Sequence, residues 1–441
     1  MRRLAIVGGT IVILLSLVVT VVVRRELMRG PAPLSRDASV IAAKDGAIAG
    51  ESDRGFIFGR VTTHEGAVLE GRLRWGEREE AFWNETFNGW RNENPWRAHV
   101  PAEDLVEERP LEVFGLRLGT RTHEVDTERP FMARFGDIRR IDVRGRRIIV
   151  TLKSGTAHTL DRYGADDIAD GLRVWDLQRG VVEIDERGIR SVEFLRTPAL
   201  GEPPRRLQGT VHTGQGSFTG FIQWDRMSGV GSDRLIGRTT EAEIGLRFDE
   251  IRSIVKEREG TLAVTLRDGT ELALSGAAAE RGLFVSDPRF GRVLVSWEDL
   301  ESIDLAGGVS GPAYDDFPPG LPLTGHVRTR AGERLAGRIV FDLDESETTE
   351  TLDAPRGGVN YSLFFGLITS IKPEEHHSLV TLHSGEELEL ESAGDLGPEN
   401  AGVLVFVDGG RQAEYVRWKD VAAITLDPPT AMYPRLQDEA R

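Results

Sequence analysis

Three tryptophans fall within fourteen residues, Trp83, Trp90 and Trp96, beside Arg91 and among Asn84, Asn88, Asn92 and Asn94. Flat aromatic faces interleaved with amide and guanidinium donors suit stacking on a sugar ring or gripping a peptide. The same side chains also suit the closing of a hydrophobic core, where large aromatics usually go. Trp83, Trp90, Arg91 and Trp96 are therefore the candidate binding residues, with core closure as their competing role.

Other groupings hold chemically capable residues without the spacing that chemistry requires. Glu374-Glu375-His376-His377 carries metal-type donors, but adjacent histidines on an extended segment point to opposite faces. Asp342-Leu343-Asp344-Glu345 starts like a calcium loop, yet the required glycine and closing glutamate are missing. Asp315-Asp316 sits among prolines and glycines and reads as a solvated linker pair, and Gly214 to Ser217 reads as a hairpin loop. The sequence has no G-x-S-x-G elbow, H-E-x-x-H helix or P-loop, and no cysteine for thiol catalysis or thiolate zinc. No catalytic residue, metal or cofactor is assigned from these patterns.

The formal net charge of −16 argues against nucleic acid as a partner, because phosphate binding needs surplus basic residues. One local exception runs from Arg134 to Lys153, with seven basic residues against Asp137 and Asp142. It reads as an Arg-studded solvent face or as a docking patch for an acidic partner or lipid headgroups. At the other extreme, Leu4 to Val23 is uncharged for 20 residues between Arg2-Arg3 and Arg24-Arg25. A helix of that length matches a bilayer's hydrocarbon core, and the charged residues directly after it disfavour signal-peptide cleavage. The expectation is a single-pass membrane protein whose acidic C-terminal body is extracytoplasmic, in the periplasm, although the flanking arginines alone barely set the orientation.

The elements that must position these residues repeat. Val150, Val264 and Val380 each begin a near-copy of one phrase, VTLKSGTAHTL, VTLRDGTELAL and VTLHSGEELEL. Three-residue loops at Lys153-Ser154-Gly155, Arg267-Asp268-Gly269 and His383-Ser384-Gly385 explain it as a hairpin, with glycine in the left-handed position. In the second phrase that loop places Leu262 opposite Leu274, Val264 opposite Leu272 and Leu266 opposite Thr270. Each copy also opens on Gly-x-Val-x-Thr (Gly59, Gly209, Gly325), continues to a second glycine (Gly71, Gly220, Gly337) and an aromatic (Trp75, Trp224, Phe341), and has an aligned aspartate (Asp176, Asp287, Asp408).

An I-x-x-I phrase occurs twice per copy. It is Phe135-Ile138-Ile141, Phe248-Ile251-Ile254 and Phe365-Ile368-Ile371 in mid-copy, then Ile189-Val192, Leu300-Ile303 and Val421-Ile424 at the close. Three-residue spacing does not suit a strand and predicts a 3₁₀ turn feeding into one. In that local pattern and in strand density the chain resembles small SH3-like and Sm-like barrels. It is similar as a whole to the repeat-bearing, membrane-anchored proteins of bacteria. The resemblance implies an all-β fold in which each of three tandem repeats is a pair of small barrels or bent sheets. A six-bladed propeller-like ring is the alternative.

The expected organisation is an anchor (1–29), a linker (30–55), repeat 1 (56–196) with an insertion at 88–130, a linker (197–206), repeat 2 (207–305), a linker (306–322), repeat 3 (323–426) and a tail (427–441). Function is expected where the copies differ, at that insertion. The reading is a non-catalytic binding or scaffolding module of the cell envelope, with a protein or glycan partner and an oligomeric state that the sequence leaves open. The alternative is a carbohydrate-active or other hydrolytic enzyme with its site at the insertion.

Overall fold

A computed structural model describes residues 54–429, apart from 77–78, 84, 92–93, 114–115, 125–128, 163–164, 199–204, 258–259, 307–310 and 408–412. The anchor, most of the first linker and tail, Asn84, Asn92 and Asp408 lie outside the described residues. Among the described residues no helix is long and apolar enough to cross a membrane. The one α-helical turn they contain is Asp166–Ala169, and the fold is all-β.

Three large antiparallel sheets carry the chain. In the second, the order is Glu271–Leu274, Leu262–Leu266, Ile251–Lys256, Leu300–Leu305, Gln208–Thr213, Gly216–Gln223, Leu283–Asp287, Gly291–Val295, followed by Val359–Phe364 and Thr351–Arg356 of the third copy. Eight strands at matching sequence positions run in the same order in the first and third sheets. The last strand of each copy lies between that copy's first strand and the strand of its central I-x-x-I phrase. One apolar row therefore crosses six of the eight strands. In the second sheet it is Phe218, Val211, Ile303, Ile254, Val264, Leu272; in the third it is Leu335, Val327, Ile424, Ile371, Val380, Leu388.

The valine that opens each repeated phrase is a member of this row. Val150, Val264 and Val380 are all buried, each worth about 1.5–3 kcal/mol relative to exposure. The hairpin register is as the loop implies. Leu262 pairs with Leu274 and Val264 with Leu272, and the Leu266 N–H donates to the Thr270 carbonyl at 2.8 Å. Gly155, Gly269 and Gly385 have φ of 95°, 93° and 86°, the left-handed region the loop needs.

The I-x-x-I phrase has a richer cause than a 3₁₀ turn alone. Phe135–Asp137, Phe248–Glu250 and Phe365–Leu367 are 3₁₀ turns, each leading into a strand. Within that strand Ile138 and Ile141 both point inward because a bulge intervenes: Ile138 pairs with Leu152, but Arg140, not Arg139, pairs with Thr151. The same register shift occurs after Ile251 and Ile368, and in the pairing of all three closing strands. One extra residue flips the side-chain alternation, so spacing by three is strand geometry with a bulge.

The expectation of closed barrels is corrected: the sheets are open. The last strand of each copy is hydrogen-bonded on both sides, which fuses the two halves of the copy into one ladder with no strand left to close a ring. Six separate blades do not form either, since the described strands gather into three large sheets and two hairpins.

The glycines that open each copy meet across the ladder, Gly59 with Gly71, Gly209 with Gly220 and Gly325 with Gly337. A Cβ on Gly220 would sit 1.8 Å from the Ser286 carbonyl oxygen, so only glycine permits that strand approach. The aligned aspartate secures the adjoining hairpin. Asp176 accepts from the backbone N–H groups of Glu70, Gln178 and Arg179, and Asp287 from those of Thr219 and Arg289.

Candidate functional site

The copies are joined around a turn that they share, in which Glu85, Asp233 and Glu350 each accept from two backbone N–H groups three to five residues upstream. Strands Thr86–Arg91 and Arg129–Arg134 form a hairpin at the base of the insertion, in the first sheet. The turn that follows strand Arg334–Phe341 in the third copy lies against it, with Asp342 and Leu343 at φ of 48° and 56°. Arg91 Nη2 lies 2.9 Å from Asp344 Oδ1 and 3.4 Å from Glu350 Oε1. Arg129 Nη2 lies 3.5 Å from Asp342 Oδ1, and Asn94 Nδ2 donates to the Leu343 carbonyl at 2.8 Å. Asn94 also caps the 3₁₀ turn Pro95–His99, accepting from the Trp96 N–H. That turn sets Trp96 and His99 edge-on against Phe406, at 5.8 and 5.1 Å, with the Arg338 guanidinium over the Trp96 ring at 4.9 Å.

Burial governs the electrostatics of this junction. It pushes the carboxyls of Asp342 and Glu350 up to about 7, against the opposing pull of Arg129 and Arg91 respectively. Asp344 is raised for the same reason, and Glu345 is raised well above the usual carboxylate range by burial and by Asp344. Glu350 also accepts from the Ser346 and Glu347 N–H groups, at 2.5 and 2.9 Å. Carboxyls held near neutrality can act as general acids. Buried ion-pair networks perturb pKa in the same way, however, and Asp342, Asp344 and Glu350 are occupied by arginines and backbone donors, while Glu345 Oε2 is buried without a hydrogen-bond partner.

Two further joints use the same means. Glu85 accepts from the Ala81 N–H at 2.5 Å and faces Arg206 of the linker at 3.3 Å and Gln223 Nε2 of the second copy at 2.9 Å. A cleft of about 190 Å³ lies there, lined by Arg74, Glu80, Glu85, Arg206 and residues 227–230 and 233. Arg292 of the second copy donates from Nη1 to Thr86 Oγ1 at 2.8 Å, stacks 3.5 Å over Phe284, and is lowered to about 10 by burial. Residues 311–322 of the expected linker form a strap. Tyr314 and Phe317 enter the first sheet's core, with Tyr314 5.0 Å from Phe82 and Phe317 5.7 Å from Trp83.

The four candidate residues are not brought into one platform. Trp83 is half-buried against Phe317 and the Arg134 guanidinium, Arg91 is held by carboxylates, and Trp96 packs on the third copy. Trp90 alone presents its face to solvent, 48% exposed. The Arg134–Lys153 run also divides. Arg134 is buried on Asp137 at 2.6 Å, and Lys153, lowered to about 8 by burial, caps the Tyr314 and Phe317 carbonyls. Arg144, Arg146 and Arg147 remain at an exposed hairpin end. His377 lies 3.2 Å from Glu374, and no group of three metal-type ligands gathers among the described residues. The carboxylate cluster is what sequence reasoning missed. Its trace was the acidic run from Asp342 to Glu350, whose arginine partners lie in another copy.

Comparisons with protein-family models, curated proteins and solved structures give no match.

Proposed function

We propose that the chain is a membrane-anchored, extracytoplasmic protein of three tandem β-repeats, acting without catalysis as a binding or scaffolding module of the cell envelope. The observation that carries this reading is where the insertion's chemistry goes. Arg91, Asn94, Trp96 and Arg129 join the first copy to the third, making the sheets a single fastened platform. Anchorage rests on the apolar stretch Leu4 to Val23. Trp90, exposed beside this joint, is the contact point for a protein or glycan partner. Affinity capture of the full chain from detergent-solubilised envelopes tests the reading. A specific partner retained by wild type and lost with Trp90→Ala, at unchanged thermal stability, supports it; an identical capture profile would remove Trp90 from the role.

A hydrolytic enzyme is the second reading, favoured by the carboxyls of Asp342 and Glu350 held near neutrality. Turnover of a glycan or peptide by the full chain, abolished in Glu350→Gln with the fold intact, would replace the non-catalytic reading.

A further inference from the structure

The outer strand of the second sheet is covered by the next copy's hairpin. Strand Gly291–Val295 of the second copy pairs with Val359–Phe364 of the third, Val293 opposite Tyr361 and Leu294 opposite Asn360. That pairing leaves Val293, Val295 and Val359 fully buried. In the third sheet the insertion of the first copy packs on the face of strand Val403–Val407, through Trp96, His99 and Val100, and the terminal strand Glu414–Val416 has no outer strand neighbour among the described residues. In the first sheet Gly180–Ile184 has no outer strand neighbour among the described residues, with Val181 58% and the neighbouring Leu177 63% exposed. The hairpin that corresponds to the covering one, Arg234–Arg238 with Glu243–Arg247, forms a sheet of only two strands. It is tethered to its own copy by a bridge from Arg238 to Ser275, and Ile236 on it is 59% exposed.

We propose that the edge Gly180–Ile184 takes, as its antiparallel neighbour, strand Glu243–Arg247 of a second copy of this chain. The inference rests on the three-copy reading above. The correspondence is anchored at both strands. Gly180 and Gly291 both begin their strands with φ of 78° and 88° after an aligned aspartate. Arg247 and Phe364 both immediately precede a 3₁₀ turn. Transferring the observed register sets Val182 opposite Ile244 and Glu183 opposite Glu243. The backbone ladder supplies affinity, as in strand addition to a sheet edge. Each glutamate keeps its own arginine, Arg173 at 2.5 Å from Glu183 and Arg238 at 3.7 Å from Glu243. The facing acids and the net charge of −16 make the association weak and strengthened by salt. The contact is head-to-tail, so it propagates into a chain or ring of copies.

The absence of native cysteine makes disulfide trapping clean. Full-length Glu183→Cys and Glu243→Cys variants, both at exposed positions, are purified in detergent, mixed and oxidised. A control chain carries Leu294→Cys with Asn360→Cys across the internal pairing. The expected result is a dimer-size species that needs both variants, is reversed by reductant and increases with salt. A control that closes while the mixture stays monomeric overturns the proposal and leaves the three-copy reading standing. Glu183→Cys cross-linking to itself overturns the choice of hairpin in favour of edge-to-edge pairing. A control that fails to close removes the internal pairing that the inference copies, and the inference falls with it.

Discussion

Arg91 and Asp344 are 253 residues apart in the chain and their side chains meet at 2.9 Å. Both are largely buried, so the pair tolerates the loss of neither partner. Arg91→Ala leaves Asp344 and Glu350 in a desolvated site without their main cation, at a cost of about 3–5 kcal/mol. Chemical denaturation measures it, and limited proteolysis should show the junction of first and third copies opening first. An unchanged denaturation midpoint would mean the pair is not a joint.

The pH dependence of this junction has a defined sign. Burial lifts Asp342 to about 7, so the folded chain holds a proton there that the unfolded chain, with an ordinary aspartate, releases near pH 4. That contribution is fully present below pH 4 and is lost as pH rises through 7. Asp342→Asn keeps a residue that tolerates φ of 48° and removes the titration. Relative to wild type it should gain stability from pH 5 to pH 8 by at most about 1.4 kcal/mol per pH unit. Parallel stability curves would show that Asp342 titrates normally.

Backbone conformation accounts for the third expectation. No atom lies within 4 Å of a Cβ placed on Gly269, so a substitution there meets only its left-handed φ of 93°. Gly269→Val should cost about 1–3 kcal/mol and Gly269→Asn markedly less, because asparagine visits that region readily. Gly220→Ala is the contrast, since its Cβ collides with the Ser286 carbonyl; it should exceed the Gly269→Val loss. Thermal melts of the three variants give the ranking, and equal losses would defeat the distinction.

Phe317 fills the first sheet's core from a segment between the second and third copies. Phe317→Ala should cost about 3–5 kcal/mol. Gly136→Ala should mimic it, because a Cβ there would lie 2.6 Å from the Phe317 ring. Hydrogen exchange would then report faster opening at Tyr314 to Phe317 in both variants. Unaltered exchange would mean that the strap is not seated in solution.

The sequence alone determined the periodic part of this protein. Local chemistry sufficed for the three hairpins, because Gly155, Gly269 and Gly385 specify a turn and the turn specifies a register. It sufficed for the I-x-x-I phrases as markers of an inward face, although a bulge, visible only in the pairing of Ile138 and Arg140 with their partners, explains the spacing. Closure was not legible, since local pattern does not say whether a last strand returns to close a barrel or is inserted between two others. The joints were not legible either. Trp96 and Phe317 carry no periodicity, and Arg91, although matched by Arg356 in the third copy, meets its partner only across copies; Phe406, Asp344 and Trp83 are brought to these three by packing. A residue's neighbours in its own strand follow from alternation and turn geometry. Its neighbours across two sheets follow only from how the sheets pack, and that was decided by the tertiary structure.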